Sequence, residues 1–478
     1  MAKRVTMKSR SFLLLLLFLH VLSSSFSKSA QANSSKPKKY LTPAEIESLV
    51  IENFPNIKNR LLEIEIEKDR REMLMGPLDP RLQGRYSDAE GYYNTVTQEY
   101  AVAKKFQFQG LELQGGFRQG VGNYPTYSDG ETVSGGETFF KIELPLLRGR
   151  SIDNIRQSLR VADRGIQRSE QVYRTQSILV RSQALGAYWD LYRLLKVEEA
   201  IKSLLNVVVQ RQEWIEKKAR AGTLAKLVIK ENEKSILLVR ESLLEINNRI
   251  ELVKNQLQLF LVSVNEAGPD FDIPQADLKS PPKINIALAD ISSWFKTHPF
   301  YLDLTYEIDQ ERTRLAFAKN NMLPDLNLHF EQVQPQNNGI SSLSKTEEKA
   351  GINLRFPLFI SEARGARGMA EKRLNFLENR REQVLRELKR DYQNALSTLE
   401  RFEKQISILQ KQVEIDTQLR SAEEVIFRQG SSNMINLNIR DRTLLESQVK
   451  YIDAEVQVRK LQIDILALQG KDRFISLD

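Results

Sequence analysis

The chain has 478 residues, 28% of them charged, with a mean hydropathy of −0.41, a balance that excludes a bundle of membrane-spanning helices. It contains no cysteine and three histidines, which excludes a disulfide framework and leaves no His/Cys constellation for a metal or a catalytic centre. The formal charge of +8 is not an argument for nucleic acid, because five of the positive charges (Lys3, Arg4, Lys8, Arg10 and Lys28) lie in a segment expected to be removed.

That segment is residues 1–32. A basic stretch precedes the apolar run Phe12 to Leu22, and small residues follow as far as Ala30-Gln31-Ala32. This is the layout of a secretory signal peptide with its cleavage site. Next, Thr42-Pro43-Ala44-Glu45 forms a capping box with proline in the first turn, predicting a helix that runs to about Met75, in which the proline near the start either introduces a kink or marks a break between a short and a longer helix. A strand is expected near Arg81 to Gly91, paired with a second in which Phe140, Ile142, Leu144 and Leu146 alternate with Phe139, Lys141, Glu143 and Pro145. Between them lies an additional hairpin over residues 104–120, read as extending the outward loop, with addition to the sheet as the alternative.

From Leu146 to Ala267 there is no proline, and Gly222 is the single glycine between Ala187 and Ala267. Apolar residues recur at three and four, as in Leu185, Tyr188, Tyr192 and Leu195. A helix over Asp153 to Lys218 at 1.5 Å per residue would reach on the order of 100 Å, too long to wrap an ordinary globular core. Gly222 is where it ends and the chain turns back.

The second half repeats the first. Pro299 answers Pro55 and Pro324 answers Pro80, both 244 residues on (299 − 55 and 324 − 80), whereas Pro357 follows Pro145 by 212 and Gly430 follows Gly222 by 208. The first half therefore carries about 32 additional residues between its first strand and its Pro-Leu corner. The expected units are 33–268, a linker 269–290, and 291–478. The second unit holds a helix over Ile291 to Asn320, alternating strands at Leu326 to Glu331 and Ile352 to Leu358, and a long hairpin turning at Gly430. One apolar and one polar face on about ten residues is what a tilted transmembrane strand needs. Four such strands cannot enclose a water-filled pore, and an open sheet edge in lipid leaves backbone groups unpaired, so closure has to come from other copies.

Signal peptide, helix, strand pair, Pro-Leu corner, long hairpin, and then the same again is an order of elements that resembles the TolC family over almost the whole mature chain. The matching segments are Leu144-Pro145-Leu146-Leu147-Arg148, Ala187-Tyr188-Trp189-Asp190-Leu191-Tyr192 and Arg220-Ala221-Gly222-Thr223-Leu224. Their counterparts are Phe356-Pro357-Leu358-Phe359, Asp391-Tyr392-Gln393-Asn394-Ala395-Leu396 and Arg428-Gln429-Gly430-Ser431-Ser432.

The resemblance implies a mainly α fold with a small membrane β-barrel. Three copies would share a helical tunnel and a barrel of twelve strands, about four from each. It implies an outer-membrane protein with a periplasmic extension, serving as the passive conduit of a tripartite efflux or type I secretion system. Its tips, at Ala221, Gly222, Thr223, Gln429, Gly430 and Ser431, would dock a periplasmic adaptor that connects to an inner-membrane pump. Where the family often carries aspartates after the second tip, this chain has Asn436 and Asn438, so the expected inner constriction is polar and uncharged, with Asp441 the nearest acid. No catalytic, cofactor-binding or metal residues are expected, nor is the cargo specified. The competing class is a non-channel coiled-coil protein of the periplasm or envelope, which leaves the alternating segments unexplained.

Overall fold

The structure is a computed structural model that describes residues 39–125, 130–261, 271–274, 277, 284, 291–336 and 345–475. The signal peptide expected over residues 1–32 and most of the expected 269–290 linker lie outside the described residues. In chain order the elements are β1 (Lys39–Tyr40), α1 (Pro43–Asn53), α2 (Pro55–Met73), β2 (Arg81–Ala89), β3 (Thr95–Lys105), β4 (Glu112–Gly122), β5 (Glu137–Pro145), α3 (Asn154–Arg220), α4 (Lys226–Leu261) and β6 (Phe271–Asp272). Then follow α5 (Ile291–Trp294), α6 (Pro299–Asn320), β7 (Asp325–Pro335), β8 (Glu347–Arg355), α7 (Ser361–Arg428) and α8 (Met434–Leu468).

The capping box is present: Thr42 Oγ1 accepts from Glu45 N–H while the Glu45 carboxylate accepts from Thr42 N–H at 2.8 Å. Of the two expected outcomes the structure shows the break: the first helix stops at Asn53, because Pro55 pushes Phe54 into extended backbone (ψ 117), and a longer one runs from Pro55 to Met73. Pro299 does the same in the second half, where His298 is extended and Ile291 to Asn320 divides into α5, a 3-10 turn and α6.

The long helices form as expected. α3 has 67 residues and α7 has 68, each with no internal proline. Near their tips α3 and α7 lie against α4 and α8, and toward the sheet against α2 and α6. Four helices therefore stand side by side at each level. The main core sits at mid-height, where Ala184 to Ile201 of α3 meets α1, α4 and α8. Trp189 is fully buried there, edge-on to Tyr188 and Tyr192 with centroids 5.4 and 5.3 Å away.

The class, mainly helical with a small antiparallel sheet, is as expected, but the strand count is corrected. One antiparallel sheet holds six strands in the order β2-β3-β4-β5-β7-β8, not about four. The strand at Arg81 pairs with β3, not with β5, and the second strand of the second half ends at Arg355 rather than reaching Leu358. The additional residues are not a loop extension: Phe106 to Leu111 is a turn, and β3 and β4 on either side of it are full-length members of the sheet.

Candidate functional site

Two regions carry the functional argument, the hairpin tips and the sheet. At the first tip Gly222 takes a left-handed backbone (φ 73); its N–H donates to Ala219 O at 3.1 Å and Thr223 N–H donates to Lys218 O at 3.1 Å. At the second, Gly430 (φ 83) donates to Phe427 O at 3.0 Å and Ser431 N–H donates to Ile426 O at 3.1 Å. Both are complete Schellman caps, in which only glycine adopts the required φ without strain. A Cβ on either glycine would meet nothing within 4 Å, and Ala221, Thr223, Gln429 and Ser431 are likewise exposed. The six tip residues thus form two open, side-chain-poor corners.

The corners are joined from behind. Ile215, Phe427, Met434 and Leu437 form a buried cluster with Trp214 packed against it, bringing the two hairpins together. Arg428 and Lys218 lie over the Trp214 ring, 5.8 and 6.0 Å from its centroid. One layer higher is a buried ion network that sequence reasoning did not single out. Arg211 of α3 donates to Asp441 of α8 at 2.7 Å, and Arg420 of α7 donates to the other Asp441 oxygen at 3.1 Å. Arg420 and Arg428 also pair with Glu424 at 2.7 and 2.6 Å. Burial opposes ionisation of Glu424, yet Arg428, Arg420 and Arg211 outweigh it and hold its carboxyl below the usual range.

This geometry places the residues expected at the constriction. Asp441 is 6% exposed and engaged by two arginines, so it fastens three helices and its charge is taken up inside the chain. Asn436 is exposed and Asn438 half-buried. Two positions apart on a helix, they do not share a face.

The sheet has two distinct faces. Cross-strand register puts Leu82, Val102 and Phe140 on one face, with Tyr86, Tyr100, Ile142, Leu328, Ile352 and Leu354 on the same side. Leu82 and Leu354, at 81% and 68% exposure, are apolar residues with nothing over them. The opposite face carries Arg81, Arg85, Glu112, Arg118, Lys141, Glu143, Glu331 and Lys349. There Arg118 bridges Glu137 and, at 2.8 Å, Glu331. Strands of nine to eleven residues with an uncovered apolar face and a charged one are built to separate lipid from water. No helix among the described residues is long and apolar enough to cross a membrane.

In sequence, residues 303–471 match the family model described as outer membrane efflux protein. That stretch, in the second half of the chain, is similar in sequence to outer membrane efflux proteins. The Campylobacter jejuni CmeC outer membrane channel is 15% identical and superposes with a TM-score of 0.62 over 95% of this chain and 92% of its own. CusC gives 14% identity, a TM-score of 0.67 and coverage of 94% and 96%. The open state of the Neisseria gonorrhoeae MtrE outer membrane channel gives 14%, 0.62, and 94% and 95%. At these identities the likeness is one of fold. No curated protein matches the chain in sequence. The resemblance read from the order of elements is borne out.

Proposed function

We propose that three copies of this chain form an outer-membrane efflux duct, exported by a signal peptide over residues 1–32, which passively conducts cargo from the periplasm to the exterior. One observation carries the reading: an amphipathic sheet whose terminal strands β2 and β8 each have, among the described residues, one edge without a partner strand stands on hairpins about 100 Å long. Unpaired edges in lipid must be closed by neighbouring copies. β2 and β8 run in opposite directions, so β2 of one copy can pair antiparallel with β8 of the next.

The helices support the same assembly. Leu237, Leu244 and Leu252 form an exposed stripe on α4, and Ile408, Ile415 and Leu419 form another on α7, at comparable distances from the tips. Facing each other across copies, the two would bury a coiled-coil seam. The open corners at Ala221 to Thr223 and Gln429 to Ser431 are the docking points for a helical adaptor that links the duct to an inner-membrane pump. Asn436 lines the inner mouth. The chain performs no chemistry of its own.

The test is the assembly state of the mature protein. A detergent-requiring trimer that sediments with outer membranes supports the duct; a water-soluble dimer supports the envelope coiled coil instead.

A further inference from the structure

We propose that β3 and β4 are part of the membrane-spanning wall, so that three copies close a barrel of eighteen strands with a lumen as wide as the helical tunnel beneath it. The inference rests on the duct reading and goes beyond it in setting the bore of the exit.

Register is the first support. β3 pairs with β2 from Arg81↔Ala103 to Ala89↔Thr95, with β4 from Lys105↔Glu112 to Thr95↔Gly122, and β4 joins β5 from Glu112↔Glu143 to Arg118↔Glu137. The hairpin is therefore neither a plug folded into the lumen nor a flap above the sheet; it separates β2 from β5 over their length. Polarity is the second. Val96, Tyr100 and Val102 of β3, and Val121 of β4, lie on the same exposed side as Leu82 and Phe140, where the polar residues of the hairpin are Lys104 and the mutually hydrogen-bonded Gln98 and Gln119, while Glu99, Gln114 and Arg118 join the charged side. A flap standing in water would have no use for that continuity.

Anchoring is the third. The turn at 106–111 sits at the helix end of the sheet: Phe106 N–H donates to Leu111 O at 2.7 Å, and Lys105 pairs with Asp153, the N-cap of α3, at 3.8 Å. Gly110 (φ 74) packs so closely that a Cβ would come within 3.0 Å of Gly149 O and of Pro145. At the far end Asn123 N–H donates to Asn94 O at 3.0 Å, so the hairpin enters and leaves the sheet at one point.

Dimensions agree. Six strands spaced about 4.8 Å apart and tilted about 40° span about 38 Å of circumference. Four helices side by side at about 9 Å span about 36 Å. Six strands per copy continue a ring of four helices per copy without narrowing, whereas four strands would give a bore about two-thirds as wide. The exit is then no size filter, and the duct suits bulky cargo whose passage is limited only at the inner mouth.

Imaging the detergent-solubilised trimer counts the strands directly. Eighteen are expected, and twelve with β3 and β4 outside the wall overturn the proposal. The chain lacks cysteine, so single cysteines in outer-membrane vesicles give a second readout with a water-soluble maleimide. Tyr100→Cys and Val102→Cys should be unreactive, Thr97→Cys and Gln114→Cys reactive, with Ile142→Cys and Lys141→Cys on β5 as the reference pair. Alternation on β5 with uniform reactivity on β3 and β4 defeats this inference alone; loss of alternation on β5 as well defeats the duct reading itself.

Discussion

Replacing Asp441 with asparagine removes the carboxylate that hydrogen-bonds both Arg211 and Arg420, and the structure sets the size of the effect. Arg211 is 3% exposed and Asp441 6%, so the pair is shielded from solvent, and Arg211 Nε and Nη2 already lack a partner. Removing one member of a buried pair costs about 3–5 kcal/mol. Asparagine keeps the shape and an acceptor, which points to the lower end, about 3 kcal/mol, or about a hundredfold rise in the locally opened population of the tip at 1.4 kcal/mol per decade. The matched control is Arg442→Ala, the next residue on the same helix, whose partner Glu446 and own side chain are 52% and 82% exposed; an exposed pair contributes about 0.5 kcal/mol or less. Hydrogen exchange in the trimer should show faster exchange over 205–230 and 415–445 in Asp441→Asn and little change in Arg442→Ala, with peptides around Trp189 unaffected in both. Equal tip exchange in the two variants would refute the claim that the buried network holds the hairpins together.

Acid should loosen the protein at two places. Glu424 has a depressed pKa, so its pairing contributes fully above its ordinary value of 4.5 and is lost as pH falls through its lowered folded value; tip exchange should rise only below about pH 4.5. His298, buried and near Arg174, is lowered from 6.5 to about 4 and accepts from Phe300 N–H through Nδ1. The unfolded chain binds its proton more readily, so stability should decline from about pH 6.5 to about pH 4, and His298→Asn, which keeps a cap acceptor, should flatten that limb of a denaturation curve. Trp189→Ala empties a fully buried site and should cost about 3–5 kcal/mol in denaturant unfolding, with no change in tip exchange. Asn436→Asp places a carboxylate from each copy at the inner mouth, so block of single channels by a trivalent cation should appear in this variant, be absent in the parent, and be weak in Asn438→Asp, where the side chain is half-buried.

Much of the fold could be read from local rules. Thr42 and Glu45 announced a helix start, Gly222 and Gly430 the two returns, and Pro145 and Pro357 the ends of strands, because each of these signals is settled by backbone sterics within a few residues. β3 was harder to see. Its inward positions hold Ala101, Ala103 and Thr97 while its outward ones include Gln98 and Lys104, so hydropathy hardly alternates although the burial does. The ion network was missed because Arg211, Arg420 and Asp441 look like ordinary solvated charges on coiled-coil helices. The available signal was distance from the turns: Arg211 lies 11 residues before Gly222 (222 − 211) and Asp441 11 after Gly430 (441 − 430), which sets them at one height. Asn436 and Asn438 are close in sequence, but a helix turns them to different faces.

If identical chains join their sheets to seal a water-filled hole through lipid, the mature protein must carry ions across a bilayer on its own. Adding the purified mature protein to a planar bilayer tests it most directly. Discrete, uniform conductance steps carried by the trimer are expected; a protein that inserts no steps at any concentration, or that remains a soluble monomer without detergent, is not a duct.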